Sequence, residues 1–88
     1  MGVKNIMEII VWENLENILE EIPGACRCDQ CKNDIAAYAL NNLKPKYATI
    51  NKGEVISKAS SLELQYHLDV VTALTKGIEL VGRNPRHD

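Results

Sequence analysis

Cys26-Arg27-Cys28-Asp29-Gln30-Cys31 holds all three cysteines of an 88-residue chain within six positions. Pro23-Gly24 stands just before it and Asn33-Asp34 just after. The stretch therefore reads as a tight turn between two helices, and the C-x-C-x2-C spacing lets the thiolates converge on one soft cation. Zinc accepts sulfur at ~2.3 Å in a tetrahedron. A disulfide framework fits poorly, because an odd count leaves one thiol over. The plainer alternative is a set of reduced cysteines acting as small apolar residues. A redox pair is a third reading, although a redox C-x-x-C normally opens a helix after a strand and no strand is evident before Cys28. Three thiols leave a fourth zinc position open, or filled by His, Asp, water or another chain.

Upstream of the turn, residues 3 to 21 read as a helix. Val3, Met7, Ile10, Leu15, Ile18 and Ile22 recur at helical steps, and Ile9 and Trp12 add a second apolar edge. Pro23-Gly24 ends it. Downstream, Asn33 or Asp29 caps a helix over about 32 to 43, with Ile35, Ala36, Ala39, Leu40 and Leu43 as its apolar stripe. Pro45 closes that helix. Residues 46 to 56 then carry β-branched side chains and an Asn51-Lys52-Gly53 turn, which predicts an ordered loop or a short hairpin. Ser57 or Ser60 starts a long third helix; Ser60 with Glu63 fits a capping box. One stripe on it is Leu62, Tyr66, Val70, Ala73, Leu74 and Val81, and a neighbouring one is Leu64, Leu68, Val71 and Ile78. Gly77 inside this helix costs ~1 kcal/mol against alanine, which a close helix crossing would explain. Gly82 and Pro85 end the helix.

The expected fold is mainly α: one domain over residues 1–88, with three helices, a zinc-binding cysteine turn and an ordered central loop. The apolar faces of the first and third helices exceed what one small core can cover, which predicts a homodimer through Ile9, Trp12, Leu64, Leu68 and Val71. A chain this short buries only roughly 60% of its unfolded surface, so a metal or an interface adds useful stability. Apolar residues make up 45% of the chain, and phenylalanine is absent, so the core is aliphatic. A net charge of −2 supplies no basic field for direct nucleic-acid binding. No apolar run is long enough for a membrane span or a signal peptide. Unpaired thiols point to a reducing cytoplasm.

The order of short elements carries a resemblance. Cys26-x-Cys28-x2-Cys31-x-Asn33-Asp34 is followed by Ala39-Leu40-Asn41, Pro45-x-Tyr47-x-Thr49, Lys58-Ala59 and Asn84-Pro85-Arg86. This pattern resembles the late competence development protein ComFB family of bacteria, from about residue 7 to the end. The cysteine element is specific, and the Pro-Arg element is weak alone. The resemblance implies a small, mostly helical, dimeric fold with a cysteine zinc site and no catalytic activity. It also implies a place among gene products tied to DNA uptake, and, for some members, receptors of cyclic dinucleotide second messengers. Four-cysteine members carry a further cysteine just beyond the Pro-Arg element. This chain has His87 there, so the resemblance makes His87 a candidate fourth zinc ligand beside Cys26, Cys28 and Cys31.

No Ser-His-Asp ordering, His-Glu-x-x-His or phosphate-binding glycine loop occurs, which argues against an enzyme. Asp29 and Asp34 are placed to serve as a base beside a metal, but a helix cap or a surface carboxylate is the more ordinary role for each. A cyclic dinucleotide such as cyclic di-AMP or cyclic di-GMP needs cations, N–H donors and stacking surfaces. The central loop offers Lys46, Tyr47, Thr49, Lys52 and Gly53, and the C-terminal end offers Arg83 and Arg86. A two-fold ligand suits a two-fold dimer. The alternative function is a zinc-stabilised adaptor that binds other proteins and no small ligand.

Overall fold

The computed structural model describes residues 2–49 and 52–83; within 52–63 only the backbone is described. The described elements run β1 (Val3–Asn5), α1 (Ile6–Glu20), α2 (Asp29–Asn41), β2 (Tyr47–Thr49) and α3 (Lys52–Arg83). The chain is mainly helical, as expected, with the cysteine turn between α1 and α2.

The first helix starts later than its apolar spacing suggests. Residues 3 to 5 form a strand antiparallel to β2, in the register Val3 with Thr49, Lys4 with Ala48 and Asn5 with Tyr47. Asn5 decides the boundary. Its side-chain oxygen accepts from the Met7 N–H at 3.2 Å as the N-cap of α1, and also from the Lys46 N–H at 3.0 Å. One short polar side chain thus starts the helix and ties it to the central loop. The partner of β2 lies at the other end of the chain, so the expected local hairpin over 46–56 does not form.

Two further boundaries differ from expectation. α2 is capped by Cys28, whose Sγ accepts from the Cys31 N–H at 3.4 Å, and not by Asp29 or Asn33. α3 begins at Lys52 and not at Ser57 or Ser60, which places Lys52 and Gly53 in its first turn and out of the central loop. It bends at Tyr66, whose φ of −113° and ψ of 16° are not helical.

The three helices pack on one another around an aliphatic core. Ile6, Met7, Ile10, Val11, Leu15 and Leu19 of α1 meet Ile35, Ala36 and Ala39 of α2 and Val70, Ala73 and Leu74 of α3. The buried Asn14 side chain donates to the Ile10 carbonyl at 2.9 Å, so its polar atoms cost the core little. Gly77 confirms the close crossing. A Cβ there would lie 3.1 Å from Tyr38 Cδ1 and 3.3 Å from the Ile35 carbonyl oxygen. The second apolar stripe divides: Ile78 packs against the core, while Leu64 and Leu68 are 87% and 76% exposed. Trp12 is also exposed.

Candidate functional site

The thiol turn is set by the ends of two helices. α1 closes when the Glu21 N–H donates to the Ile18 carbonyl at 3.1 Å and the Ile22 N–H to the Leu19 carbonyl at 3.2 Å. Gly24 then turns the chain at φ 83°, a conformation that favours glycine. Arg27 reaches back, and its Nη2 donates to the Leu19 carbonyl at 3.0 Å. α1 carries no basic residue in its own last turn, so Arg27 supplies the cation that the negative helix end favours. Across the turn, Cys28 caps α2 and Cys31 lies in its first turn, where backbone N–H groups and the helix dipole stabilise a thiolate. Lys32 of α2 pairs with Glu16 of α1 at 3.0 Å and adds a second brace.

The sulfur atoms of Cys26, Cys28 and Cys31 all lie within 4.8 Å of one another. Thiolates around one zinc stand about 3.8 Å apart, given Zn–S of ~2.3 Å in a tetrahedron, so a small inward movement seats an ion. Cys31 is buried at 1% exposure, while Cys26 and Cys28 are exposed. Burial pushes the Cys31 thiol up to about 12, with hydrogen bonds to Cys26 and Cys28 and their charges adding in the same direction. A buried thiol this reluctant to ionise is poor as a nucleophile. A divalent cation inverts that preference by holding the thiolate outright. The arrangement can therefore hold a soft metal ion with one protected and two accessible sulfurs.

The end of α3 arrives at the same place. Val81 and Gly82 line a cavity of about 250 Å³ together with Cys26 and Cys31. His87 lies outside the described residues, as does Arg86. Asp29 is exposed in the first turn of α2, and Asp34 accepts from the Gln30 side chain at 3.2 Å. Both play the ordinary helix-surface roles.

A second feature lies where the loop after α2 faces α3. A cleft of about 760 Å³ is lined by Lys44 and Lys46 from the loop, Tyr38 from α2, and Tyr66, Asp69 and Lys76 from α3, among others. Lys46 Nζ sits 5.2 Å from the centre of the Tyr66 ring. Its backbone is held on both sides, because its N–H donates to Asn5 Oδ1 and its carbonyl accepts from the Ile6 N–H at 2.7 Å. Among the described residues, three ammonium groups stand against one carboxylate, so these groups make the cleft positive on a chain whose net charge is −2.

Among the described loop and C-terminal residues expected to bind a dinucleotide, Lys46 alone lines this cleft. Tyr47 and Thr49 lie on β2 and are exposed. Lys52 and Gly53 open α3. Arg83 ends α3 in an ion pair with Glu79, two helical turns beyond Lys76 and next to the thiol end. Among the described residues of that set, Tyr47, Thr49 and Arg83 thus lie outside the cleft that Lys46 lines. Lys44, Tyr38, Tyr66 and Lys76 escape the sequence reading. A signal for the α3 wall exists in the spacing of Asp69, Thr72 and Lys76, which puts three polar groups on one helix face.

A thiol cluster joining two helices, a third helix packed back against it, and a lysine-lined cleft define a small helical domain with a candidate metal centre. The family described as late competence development protein ComFB matches residues 4–85, and the chain belongs to that family. Competence protein ComFB of Bacillus subtilis (strain 168) is 30% identical over 81 residues, spanning 92% of this chain and 83% of that one. A solved structure reported as the structural characterization of the late competence protein ComFB from Bacillus subtilis superposes with a TM-score of 0.80. It covers 96% of this chain and 92% of that one at 24% identity, and so shares the fold.

Proposed function

We propose that this competence-family domain is a non-enzymatic receptor for an anionic cyclic dinucleotide, held together by structural zinc on Cys26, Cys28 and Cys31. The observation that carries the reading is the cleft, where lysines from two separate elements meet beside two tyrosines. Its volume of about 760 Å³ falls in the range of small-molecule sites. Lysines pair with phosphodiesters, and tyrosine faces stack on bases. Three of the described lining groups are cations, which suits a ligand carrying two phosphates. Lys46, Lys44 and Lys76 therefore replace the wider loop-and-terminus set as the proposed contacts.

The zinc assignment rests on donor chemistry: soft sulfurs in a compact group at a helix N-terminus. His87 is the proposed fourth ligand, supported by the arrival of Gly82 beside Cys26 and Cys31. A homodimer is supported by Leu64 and Leu68, exposed apolar side chains of which Leu68 lines the cleft. A second copy seated there would bring a second set of lysines toward the same ligand. Thiols poised for metal suit a reducing cytoplasm. The same exposed leucines favour the second reading, a zinc-stabilised adaptor for another protein in competence with no small ligand.

Calorimetry with cyclic di-AMP, cyclic di-GMP and inorganic phosphate separates the two. A receptor binds at least one cyclic dinucleotide. Lys46→Ala together with Lys76→Ala then weakens it by about 2 kcal/mol or more, since charge-assisted bonds contribute about 1.5–3 kcal/mol each. An absence of heat with both nucleotides leaves the adaptor.

A further inference from the structure

The bend in α3 is explained neither by the metal centre nor by the local sequence. Sharp helix bends come from proline, paired small residues, a π-bulge or an inserted group. Leu64-Gln65-Tyr66-His67-Leu68 offers no proline, glycine or serine. The break falls at Tyr66, and what distinguishes Tyr66 is its ring under the Lys46 ammonium, at 5.2 Å from the centroid. That distance is within cation–π range. The ammonium is carried on a fixed platform, because both backbone groups of Lys46 are tied to the β1–α1 junction. Tyr66 in turn packs against the core as a half-buried side chain. A cation on a held segment thus faces a ring at the point where a long helix changes direction.

Lys46 and Tyr66 both line the cleft. The ammonium therefore has two competing partners, the ring and any anion that enters. A charge-assisted bond to a phosphate oxygen is stronger than a cation–π contact in a partly solvated site. We propose that the Lys46–Tyr66 contact is a latch through which cleft occupancy sets the bend of α3. A phosphodiester draws the ammonium off the ring and releases the bend. The segment Lys52–Gln65 then changes its angle to the segment that follows, and with it the placement of Leu64 relative to Leu68. The ligand shifts this equilibrium because it binds the unlatched state better, its best cation being free there. The proposal rests on the reading of the cleft as an anion site; the latch itself does not need a ligand to be tested.

Hydrogen exchange of the backbone amides over 62–70, read by mass spectrometry, reports the bend. In ligand-free protein, Lys46→Met keeps the aliphatic stem over the ring and removes the charge. These amides then exchange at least about threefold faster than in the unmodified chain, while Lys44→Met, which removes a cleft cation that is not over the ring, leaves them unchanged. Unchanged exchange in Lys46→Met, or equal acceleration in both variants, overturns the latch. In the second arm, saturating cyclic di-AMP or cyclic di-GMP reproduces the Lys46→Met pattern in the unmodified chain, and inorganic phosphate at matched ionic strength does not. A nucleotide that gives heat but leaves these amides at their ligand-free rate overturns the coupling. No heat with either nucleotide overturns the receptor reading and the ligand half of this one, and the ligand-free comparison still decides the latch.

Discussion

Cys28 does two jobs with one sulfur, and the two can be separated by substitution. Its Sγ caps α2 through the Cys31 N–H, and it belongs to the thiol cluster. Serine is the better helix cap but a poor soft-metal ligand. If the thiols hold zinc, Cys28→Ser removes bound metal and lowers stability by several kcal/mol, because structural metal binding is folding energy. If they hold none, the same change is neutral or slightly stabilising. The sign of the shift in melting temperature, with metal content measured on the same samples, checks the assignment. Gly77 offers a second test. Alanine gains about 1 kcal/mol of helix propensity over glycine. Its Cβ would press on Tyr38 Cδ1 at 3.1 Å and on the Ile35 carbonyl at 3.3 Å, and a helix backbone cannot move aside as a side chain does. Overpacking of this kind costs about 1–3 kcal/mol. Gly77→Ala is therefore expected to lose about 1 kcal/mol net in urea unfolding, and a gain would show that α2 and α3 separate easily.

At the scale of elements, what the sequence makes legible is what depends on near neighbours. The three helices follow from the spacing of Ile10, Leu15, Ile35, Ala39, Val70 and Leu74, all buried as their stripes require. The close crossing at Gly77 follows from a glycine that no turn needs. β1 is not legible, because its partner, β2, is more than 40 residues away and Asn5 is needed to join them. The start of α3 is missed because Ser60 looks like a cap, although the residues before it are equally able to continue a helix. The thiol cluster is legible from spacing alone, whereas the cleft is not: its walls come from α2, the loop and α3, and Lys44 and Lys76 meet only after folding. The exposed pair on α3 yields an expectation at this scale. Leu68 is 76% exposed in the single chain, so Leu68→Glu removes no intramolecular contact of weight. Thermal unfolding of the separated chain stays put. The mass by light scattering at micromolar concentration falls from dimer to monomer, because a carboxylate without a partner is costly in an apolar interface. A monomeric unmodified protein would remove the interface from α3.

For the whole molecule, metal and proton compete for one sulfur, and stability against pH reports which of them holds it. Without metal, the Cys31 thiol lies at about 12 against an ordinary 9.0, with burial the largest cause. The folded chain then keeps a proton that the unfolded chain gives up. That contribution to stability is fully present below the unfolded value near 9 and is lost as pH rises toward 12. With metal, the dependence reverses in sign at lower pH. Binding needs thiolates, so protons displace the ion and stability falls as the solution becomes acid. The two forms are expected to have separated by neutral pH, where the metal-bound protein is the more stable and its protons are already released. A metal that contributes about 2 kcal/mol there raises Tm by roughly 10 °C for a domain of this size. Thermal unfolding from pH 5.5 to 10, with and without a chelator, resolves the matter. The expected result is two curves that converge in acid, separate at neutral pH and diverge further above pH 9 as the metal-free chain loses its buried thiol. Superimposable curves across the range would show that the three cysteines act as small apolar residues, and that the turn between α1 and α2 is held without metal, with Arg27, Gly24, the Cys28 cap and the Lys32–Glu16 pair among its braces.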